Sequence, residues 1–407
     1  MAPLSRRNAL KTIAGTSAIH GLPGSNAAAA QTDTDSTTVV SRWHLAHDRV
    51  WLGENCWANP MEDWRVVGGA AECQTTGGNR NVHLLTHQLT DPTQSFRMSV
   101  QITQVEVHKV DGGAGFRIGV RSDINEYRSN CFSKNGINAG LIAGELVLGR
   151  KKKKLTGKPP RESVLELSGR PDGERYALTL TARSVAGDLL GTVTQDVPTT
   201  GISGNVALVS NFDSMIRKGR GARYRFASWS VAGEAFTISP GHRFGPLLWS
   251  MYTLSDSRGK DGFQLTLSAL TPPLGEKDNH AVELLTRTDG QWKSAGEEQL
   301  DPDAWVATFR ISNWDESKAA DFRLVYRESL ADGTDRESEW SGKIKANPSG
   351  RPLRMGALTC QNDYAFPYAP VAENLVKLDP DMLYFSGDQL YENHGGFGII
   401  RDPAGPA

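Results

Sequence analysis

Apolar and polar residues alternate over much of the chain between Val39 and Gly233. From Phe96 to Ile102 every second residue is apolar, which is the period of a β-strand with one buried face. Gly, Asn and Asp residues separate such segments, and no convincing helical pattern of ten residues occurs among them. Regularly spaced strands predict a β-sandwich or jelly roll for residues 39–233. The strand candidates are Phe96–Val107, Gly115–Arg121, Leu141–Leu148, Val164–Leu167, Tyr176–Ala182, Gly204–Ser210 and Arg223–Val231.

A second set of short strand candidates follows, from residue 234 to residue 347. About 110 residues with this strand spacing predict a sandwich of the immunoglobulin or fibronectin type. The candidates are Leu247–Ser250, Gly262–Leu267, Ala281–Thr286, Trp305–Ile311, Asp321–Arg327 and Trp340–Lys345.

The pattern changes after the Pro- and Gly-containing segment Asn347–Pro352, which predicts a domain boundary. Leu353–Leu358 is a continuous apolar-biased strand candidate, and Ala369–Leu378 has helical spacing. Asp381–Asp388 is a second buried-strand candidate that ends in Gly-Asp. A strand, a helix and a strand in this order predict the start of an α/β domain over residues 353–407.

The N-terminus has the organisation of an export signal. Paired Arg6 and Arg7 precede a mildly apolar stretch and the small-residue run Ala27–Ala30. The order resembles a twin-arginine signal, although Ala9 stands where a bulky apolar residue is common. We therefore expect a twin-arginine-type signal peptide over residues 1–30, a polar linker over residues 31–38, and a periplasmic or extracellular location.

Composition excludes several classes of protein. The chain has 407 residues, and 38% of them are hydrophobic, so globular domains are expected rather than disorder. A formal net charge of −1 gives no indication of a nucleic-acid-binding surface. No apolar stretch reaches the roughly 18 residues that a membrane-spanning helix needs. Four cysteines in a chain of this length do not form a disulfide framework.

Candidate metal ligands follow both strands of the α/β segment. Cys360 comes after the first strand, and Asp388 after the second, with Tyr391 close behind. Because ligand sites gather at the carboxyl ends of parallel strands, the two loops are expected to be neighbours. A carboxylate can bridge two cations. Anionic thiolate and phenolate donors suit a ferric ion better than magnesium.

Two segments resemble a known enzyme family. Cys360–Asn362 and Phe385–Glu392 look like the first two motifs of the alkaline phosphatase D family of calcineurin-like metallophosphoesterases. That resemblance implies hydrolysis of phosphoric mono- or diesters at a site that contains iron and calcium. It implies that Cys360 and Tyr391 are iron ligands and that Asp388 bridges iron to calcium. Glu392 and His394 are interpreted as solvated loop residues rather than ligands.

The ends of the first module resemble the concanavalin A-like lectin and glucanase jelly roll. Trp51–Pro60, Asp63–Val66 and Ala71–Cys73 open the module, and Gly204–Val209 and Phe226–Gly233 close it. The resemblance implies that the last strand returns to pair beside the first. It also supports an alternative function, in which a carbohydrate-binding or surface-interaction protein acts through this module.

The enzyme family also has later motifs, including an Asn-His ligand pair and further histidines, and these are missing before Ala407. A sheet of this type needs roughly 200 residues to bury both faces. We therefore expect a truncated metallophosphoesterase domain, with unknown catalytic residues and little or no phosphatase activity in this polypeptide.

Three further features allow more than one interpretation. Lys151–Lys154 is interpreted as a solvated hairpin loop, the alternative being contact with phosphate or an acidic glycan. Four tryptophans could form a sugar-stacking platform but are more often core in a jelly roll: Trp43, Trp51, Trp57 and Trp64. Cys56 and Cys73 could form a disulfide that leaves Cys131 over, or all three could be free thiols.

Overall fold

Antiparallel strands build most of the protein. The computed structural model describes residues 38–121, 136–157, 160–256, 262–288, 290–360 and 368–388. Within these ranges, no helix is long and apolar enough to cross a bilayer. The first sixteen strands are β1 (Val39–Val40), β2 (Cys56–Asn59), β3 (Trp64–Val67), β4 (Ala70–Cys73), β5 (Arg80–Leu89), β6 (Phe96–Val107), β7 (Ala114–Val120), β8 (Ile137–Ile142), β9 (Glu145–Leu148), β10 (Lys151–Lys154), β11 (Glu162–Asp172), β12 (Arg175–Arg183), β13 (Leu189–Pro198), β14 (Gly204–Ser210), β15 (Ala222–Ala232) and β16 (Phe236–Ile238). Short 3₁₀ turns occupy Trp43–Leu45, Met61–Asp63 and Thr199–Gly201.

These strands form two eight-stranded sheets. The first has the order β13-β12-β11-β6-β15-β4-β3, and β1 also pairs with β15. The second has the order β10-β9-β8-β7-β14-β5-β16, and β2 also pairs with β5. The alternating apolar residues of both sheets bury one continuous core, and the last long strand returns beside the first, with Val231 opposite Val39. The prediction of a β-sandwich for the first module is confirmed.

Some boundaries differ from the prediction. Leu141–Leu148 is two strands, because Ala143 and Gly144 both have positive φ and form a turn between them. Lys151–Lys154 is the edge strand β10 rather than a loop. Phe236–Ile238, beyond the predicted end of the first module, pairs with β5 and extends its second sheet.

A smaller sandwich follows. It contains β17 (Trp249–Ser255), β18 (Gln264–Leu270), β19 (Ala281–Thr288), β20 (Gln291–Gln299), β21 (Val306–Ile311), β22 (Ala320–Ser329) and β23 (Asp335–Ile344). One sheet has the order β17-β18-β21 and the other β20-β19-β22-β23. Leu267, Leu284, Phe309 and Leu324 lie in its buried core.

A segment of the first sandwich packs into the core of the second. Trp51 is fully buried among the residues of the second core, and its indole donates to Phe244 O at 2.8 Å. Arg49 pairs with Asp278 at 3.1 Å and with Glu328 at 2.8 Å. Burial by itself would raise the pKa of Glu328, but Arg336 and Arg49 outweigh burial and lower it. The buried carboxylate therefore stays ionised.

The last described part is a strand–helix–strand unit. Strand β24 (Met355–Leu358) and strand β25 (Met382–Phe385) pair in parallel, and helix α1 (Ala369–Leu378) lies between them in sequence. The helix has the bounds that its spacing predicted. Neither α1 nor β25 contains a buried residue.

We predict that Arg49→Met destabilises the protein by about 3–5 kcal/mol, because Asp278 loses its ion-pair partner and Glu328 loses one of two in a desolvated site. Chemical denaturation followed by tryptophan fluorescence measures the loss. The matched control is Arg97→Met, which removes the exposed pair with Glu166 at 3.2 Å and should cost at most about 1 kcal/mol. Equal losses in the two variants would contradict the assigned role of Arg49.

Candidate functional sites

The second sheet of the first sandwich carries polar residues on its outer face, the side turned away from the core. One row across this face runs through Asn138, Arg117, Ala207, His83 and Trp57, which are opposite one another on neighbouring strands. Opposite residues in an antiparallel pair share a face, whereas the residues that alternate with them point into the core. Strand register therefore brings these residues together from distant parts of the chain.

Arg117 is the centre of a buried hydrogen-bond network on the outer face. Its guanidinium donates to Asn138 Oδ1 at 2.7 Å, to Asn81 Oδ1 at 3.2 Å and to Asn79 Oδ1. It also donates to Phe212 O at 3.3 Å. Burial lowers the pKa of Arg117 to about 10, so the group is still charged at neutral pH. Because these acceptors occupy its donors, Arg117 positions its neighbours rather than a ligand.

His83 is buried in the same row and neutral. Its Nδ1 lies 2.8 Å from Asn205 Oδ1, and Asn205 Nδ2 donates to Leu84 O at 2.7 Å. Since the Asn205 amide is oriented by Leu84, its oxygen faces His83, and the imidazole proton lies on Nδ1. Burial lowers the pKa of His83 to about 4, although the Asn205 contact opposes this shift. His83 is therefore a structural donor at neutral pH.

The outer face borders an open depression of about 430 Å³, which we call the Phe212 depression. Phe212 forms part of its wall, and the Phe212 ring lies against Gly140 of β8. A Cβ at Gly140 would be 2.7 Å from Phe212 Cζ and 2.2 Å from Ala114 O, so only glycine fits there. The lining residues are Val110, Asp111, Gly112, Ile142, Phe212, Asp213, Met215, Ile216 and Arg220.

The depression combines apolar and charged groups. Met215 is 80% exposed, and Ile142 is half-buried. Asp213 and Arg220 are exposed, and Asp213 Oδ1 accepts the Met215 N–H at 2.8 Å. Asp111 accepts N–H groups of Gly113 and Ala143, both at 2.9 Å, so its carboxylate holds the surrounding loops. Sequence reasoning missed this site because its residues lie far apart in the chain and have no shared motif.

Three of the four tryptophans belong to the core, and the alternative of a sugar-stacking platform is not supported. Trp43, Trp51 and Trp64 are buried, as expected for core residues. Trp57 is half-buried and contacts Phe244 edge-to-face, with ring centroids 5.0 Å apart. Three of the four rings therefore have no face that a sugar could reach.

The structure brings two of the three predicted metal ligands together. Cys360 Sγ lies 3.4 Å from Asp388 Oδ2 at the carboxyl ends of β24 and β25. Both residues have left-handed backbone conformations, with φ of +52° at Cys360 and +56° at Asp388. Such conformations are uncommon for residues with a side chain and concentrate at functional sites. In this contact the Cys360 thiol donates to the Asp388 carboxylate.

The third predicted ligand, Tyr391, lies outside the described residues, as do the loop residues Glu392 and His394. Among the described residues, no cluster of three or more His, Cys, Asp or Glu side chains could hold a metal. The pair Cys360 and Asp388 is thus the described part of the predicted site.

The other described cysteines are structural. Cys56 and Cys73 are free and buried, and Cys131 lies outside the described residues. Burial raises the pKa of both thiols to about 12, which keeps them protonated and unreactive. The possible Cys56–Cys73 disulfide is not formed.

A cavity of about 60 Å³ lies at the junction of the two sandwiches. Trp43, Trp229, Arg49, Glu54 and Arg336 contribute to its lining. The volume is sufficient for a few water molecules, and the charged groups pair with one another, as Arg336 does with Glu54 at 2.9 Å. This cavity belongs to the junction rather than to a ligand site.

Comparisons with known proteins find likeness only in overall structure. No family model and no curated protein sequence matches the chain. Lectin II from Ulex europaeus has a TM-score of 0.34 and 12% identity over 49% of this chain and 99% of its own. Arcelin-5, a lectin-like defence protein from Phaseolus vulgaris, has a TM-score of 0.34 and 9% identity over 49% and 99%. A GH43 protein from Bacillus licheniformis has a TM-score of 0.30 and 14% identity over 47% and 39%.

These similarities concern about half of the chain, and the first two are to a lectin and a lectin-like protein. At such TM-scores and identities they assign neither a family nor a ligand. They give no support for a metallophosphoesterase domain, so the resemblance of Cys360–Asn362 and Phe385–Glu392 to that family stays a prediction.

Proposed function

We propose that the protein binds carbohydrate in the Phe212 depression of its first β-sandwich. The observation that carries this proposal is an open concavity of about 430 Å³ whose lining includes both apolar and charged side chains. Ligand pockets in proteins typically have volumes of about 300–1,000 Å³ and a few polar groups that orient the ligand.

The chemistry of the lining suits a sugar. Sugar rings present C–H faces that bury against apolar side chains, and Met215, Ile216 and Ile142 supply such surface. Sugar hydroxyls donate to carboxylates and accept from guanidinium groups, and Asp213 and Arg220 supply one group of each kind. Hydrogen bonds to charged partners are stronger than those between neutral groups, so these two residues would orient the ring.

The buried network behind the depression supports its shape. Arg117 holds the carbonyl of Phe212, and Asn211 accepts the Ala222 N–H at 2.9 Å through its Oδ1. Asn211 Nδ2 also donates to Ala222 O at 2.8 Å. A wall fixed in this way loses little conformational entropy when a ligand binds, which favours affinity.

A second function is favoured by the contact between Cys360 and Asp388. We propose that this end of the β24–β25 sheet forms part of the metal site of a phosphoric ester hydrolase. Cys360 and Tyr391 would hold iron, and Asp388 would bridge it to calcium; the bound cations would supply Lewis acidity towards a phosphate ester. The 3.4 Å distance between Sγ and Oδ2 supports the proposal, because both donors can reach one ion.

The remaining assignments are proposals of the same kind. We propose that the seven-stranded second sandwich is of the immunoglobulin or fibronectin type, which its sheets of three and four strands support. We also propose export through the twin-arginine-type signal at residues 1–30, on the strength of Arg6 and Arg7 and the small-residue run that follows.

For the carbohydrate site, a glycan array incubated with the whole chain should identify a bound polysaccharide. Met215→Ala should then weaken binding by about tenfold, since lost apolar contact of about 1.4 kcal/mol gives that factor. Asp213→Asn should weaken it similarly while keeping the turn, because an Asn side chain also accepts the Met215 N–H. Titration calorimetry measures both effects.

The matched control for the carbohydrate site is Met251→Ala, which removes a methionine of the second sandwich that is 54% exposed. It should leave the affinity unchanged. Binding that survives both Asp213→Asn and Met215→Ala would place the carbohydrate elsewhere, and the absence of any bound glycan would refute the proposal.

For the metal site, the whole chain loaded with ferric iron and calcium should retain iron through gel filtration. Cys360→Ser and Asp388→Asn should each lower the iron affinity by at least about tenfold, because each removes an anionic ligand. Elemental analysis of the protein fraction gives the bound iron. Asp303→Asn, at an exposed aspartate far from both strand ends in sequence, is the control. Iron retention equal in all four proteins would contradict the site.

A further inference from the structure

Strand β10 consists of four consecutive lysines at the edge of the second sheet. It pairs on one side with β9 and is the terminal strand of the sheet order. All four side chains are exposed, and within the described residues no carboxylate forms an ion pair with any of them. The chain as a whole has a formal net charge of −1, so this positive charge is local.

Strand register separates the four lysines into two pairs. Lys151 and Lys153 lie opposite Leu148 and Leu146, which point into the core. Lys151 and Lys153 are therefore on the inner face of the sheet, and we call them the inward pair. Lys152 and Lys154 lie opposite Val147 and Glu145 and therefore belong to the outer face.

The inner side of β10 faces the other sheet of the sandwich. Gln195, in β13 of that sheet, accepts the N–H groups of Arg150 at 3.0 Å and Lys151 at 3.3 Å. The pair on the inward side therefore lies at the rim near β13, and the outer-face pair points away from it.

The outer-face pair is continuous with the Phe212 depression. Lys154, Glu145 and Ile142 are opposite one another on three neighbouring strands, and Ile142 lines the depression. Lys152, Val147 and Gly140 form the next row, and Phe212 lies against Gly140. Two strand spacings of about 4.8 Å put each lysine about 10 Å from the depression.

We propose that the carbohydrate bound in the Phe212 depression is an anionic polysaccharide whose chain continues over the outer face to Lys152 and Lys154. This inference rests on the proposed carbohydrate binding and adds the class of ligand. A single sugar in the depression would not reach the lysines, whereas carboxylate or sulfate groups on following sugars would. Glu145, opposite Lys154, offsets part of the charge, so Lys152 contributes the larger share.

The competing explanation is that the lysines only prevent edge-to-edge association of β10, which is a common use of lysine on edge strands. That explanation requires charge on the strand but no particular face. The polysaccharide explanation therefore predicts that loss of the outer-face pair weakens binding more than loss of the inward pair, whereas the edge-protection explanation predicts no difference in binding between them.

The experiment compares two double variants of the whole chain, Lys152→Gln with Lys154→Gln and Lys151→Gln with Lys153→Gln. Both remove the same charge from the same strand. Affinities are measured at low salt for polygalacturonate and dextran sulfate, and for their uncharged counterparts, the methyl ester of polygalacturonate and dextran. The two anionic probes distinguish carboxylate from sulfate.

We expect the outer-face double variant to bind the preferred anionic polymer roughly tenfold or more weakly, and the inward double variant to lose much less. Added salt should reduce the difference between them. Equal losses, or no loss, in the two double variants would overturn the inference. Tight binding of an uncharged polymer without preference for its anionic counterpart would overturn it while leaving carbohydrate binding intact, and binding to no polysaccharide would overturn both.

Discussion

The buried guanidinium of Arg49 is the interaction on which the arrangement of the two sandwiches depends. The Arg49 main chain is held to the first sandwich by two backbone hydrogen bonds with Val66, and its guanidinium pairs with two carboxylates of the second sandwich, Asp278 and Glu328. Desolvated ions are costly unless they are paired, so all three groups require this one placement. Trp51 follows two residues later and fills the second core, and Leu45 O accepts the Ala331 N–H at 2.7 Å. The segment from Leu45 to Trp51 thus belongs to both sandwiches.

A second buried arginine has a comparable role within the first sandwich. Arg117 donates hydrogen bonds to three asparagine side-chain oxygens and to the carbonyl of Phe212, and so connects the centre of the outer face with the wall of the depression. The depression is open, while the polar groups behind it are buried and paired. Rigid support beneath an accessible surface is the arrangement that ligand recognition needs, and it links the fold to the proposed carbohydrate site.

The sequence predicted correctly the elements whose apolar residues recur with a clear strand or helix period. Strand β6 has the predicted bounds Phe96–Val107, and α1 has the predicted bounds Ala369–Leu378. Strand β20 was missed because Gln291–Gln299 is largely exposed and has no alternation. Lys151–Lys154 was predicted to be a loop, although pairing with β9 makes it a strand despite its polar sequence.

Of the sites, too, some could be predicted from the sequence and others could not. Cys360 and Asp388 could be placed together from the sequence, because parallel strands bring their carboxyl ends to one edge and the residues follow them directly. The partners of Arg49 lie 229 and 279 residues away, and no local pattern indicates them. The Phe212 depression depends on strand register and on the fit of Phe212 against Gly140, which only the folded structure shows.

Amide hydrogen exchange of the whole chain, with and without a bound polysaccharide, tests the central claim most directly. The account predicts slower exchange on binding in residues 110–113, 140–142 and 211–220, the segments that contain the lining residues, with unchanged exchange in the second sandwich. Protection confined to other segments, or no protection at a saturating polysaccharide concentration, would contradict a carbohydrate site in the Phe212 depression.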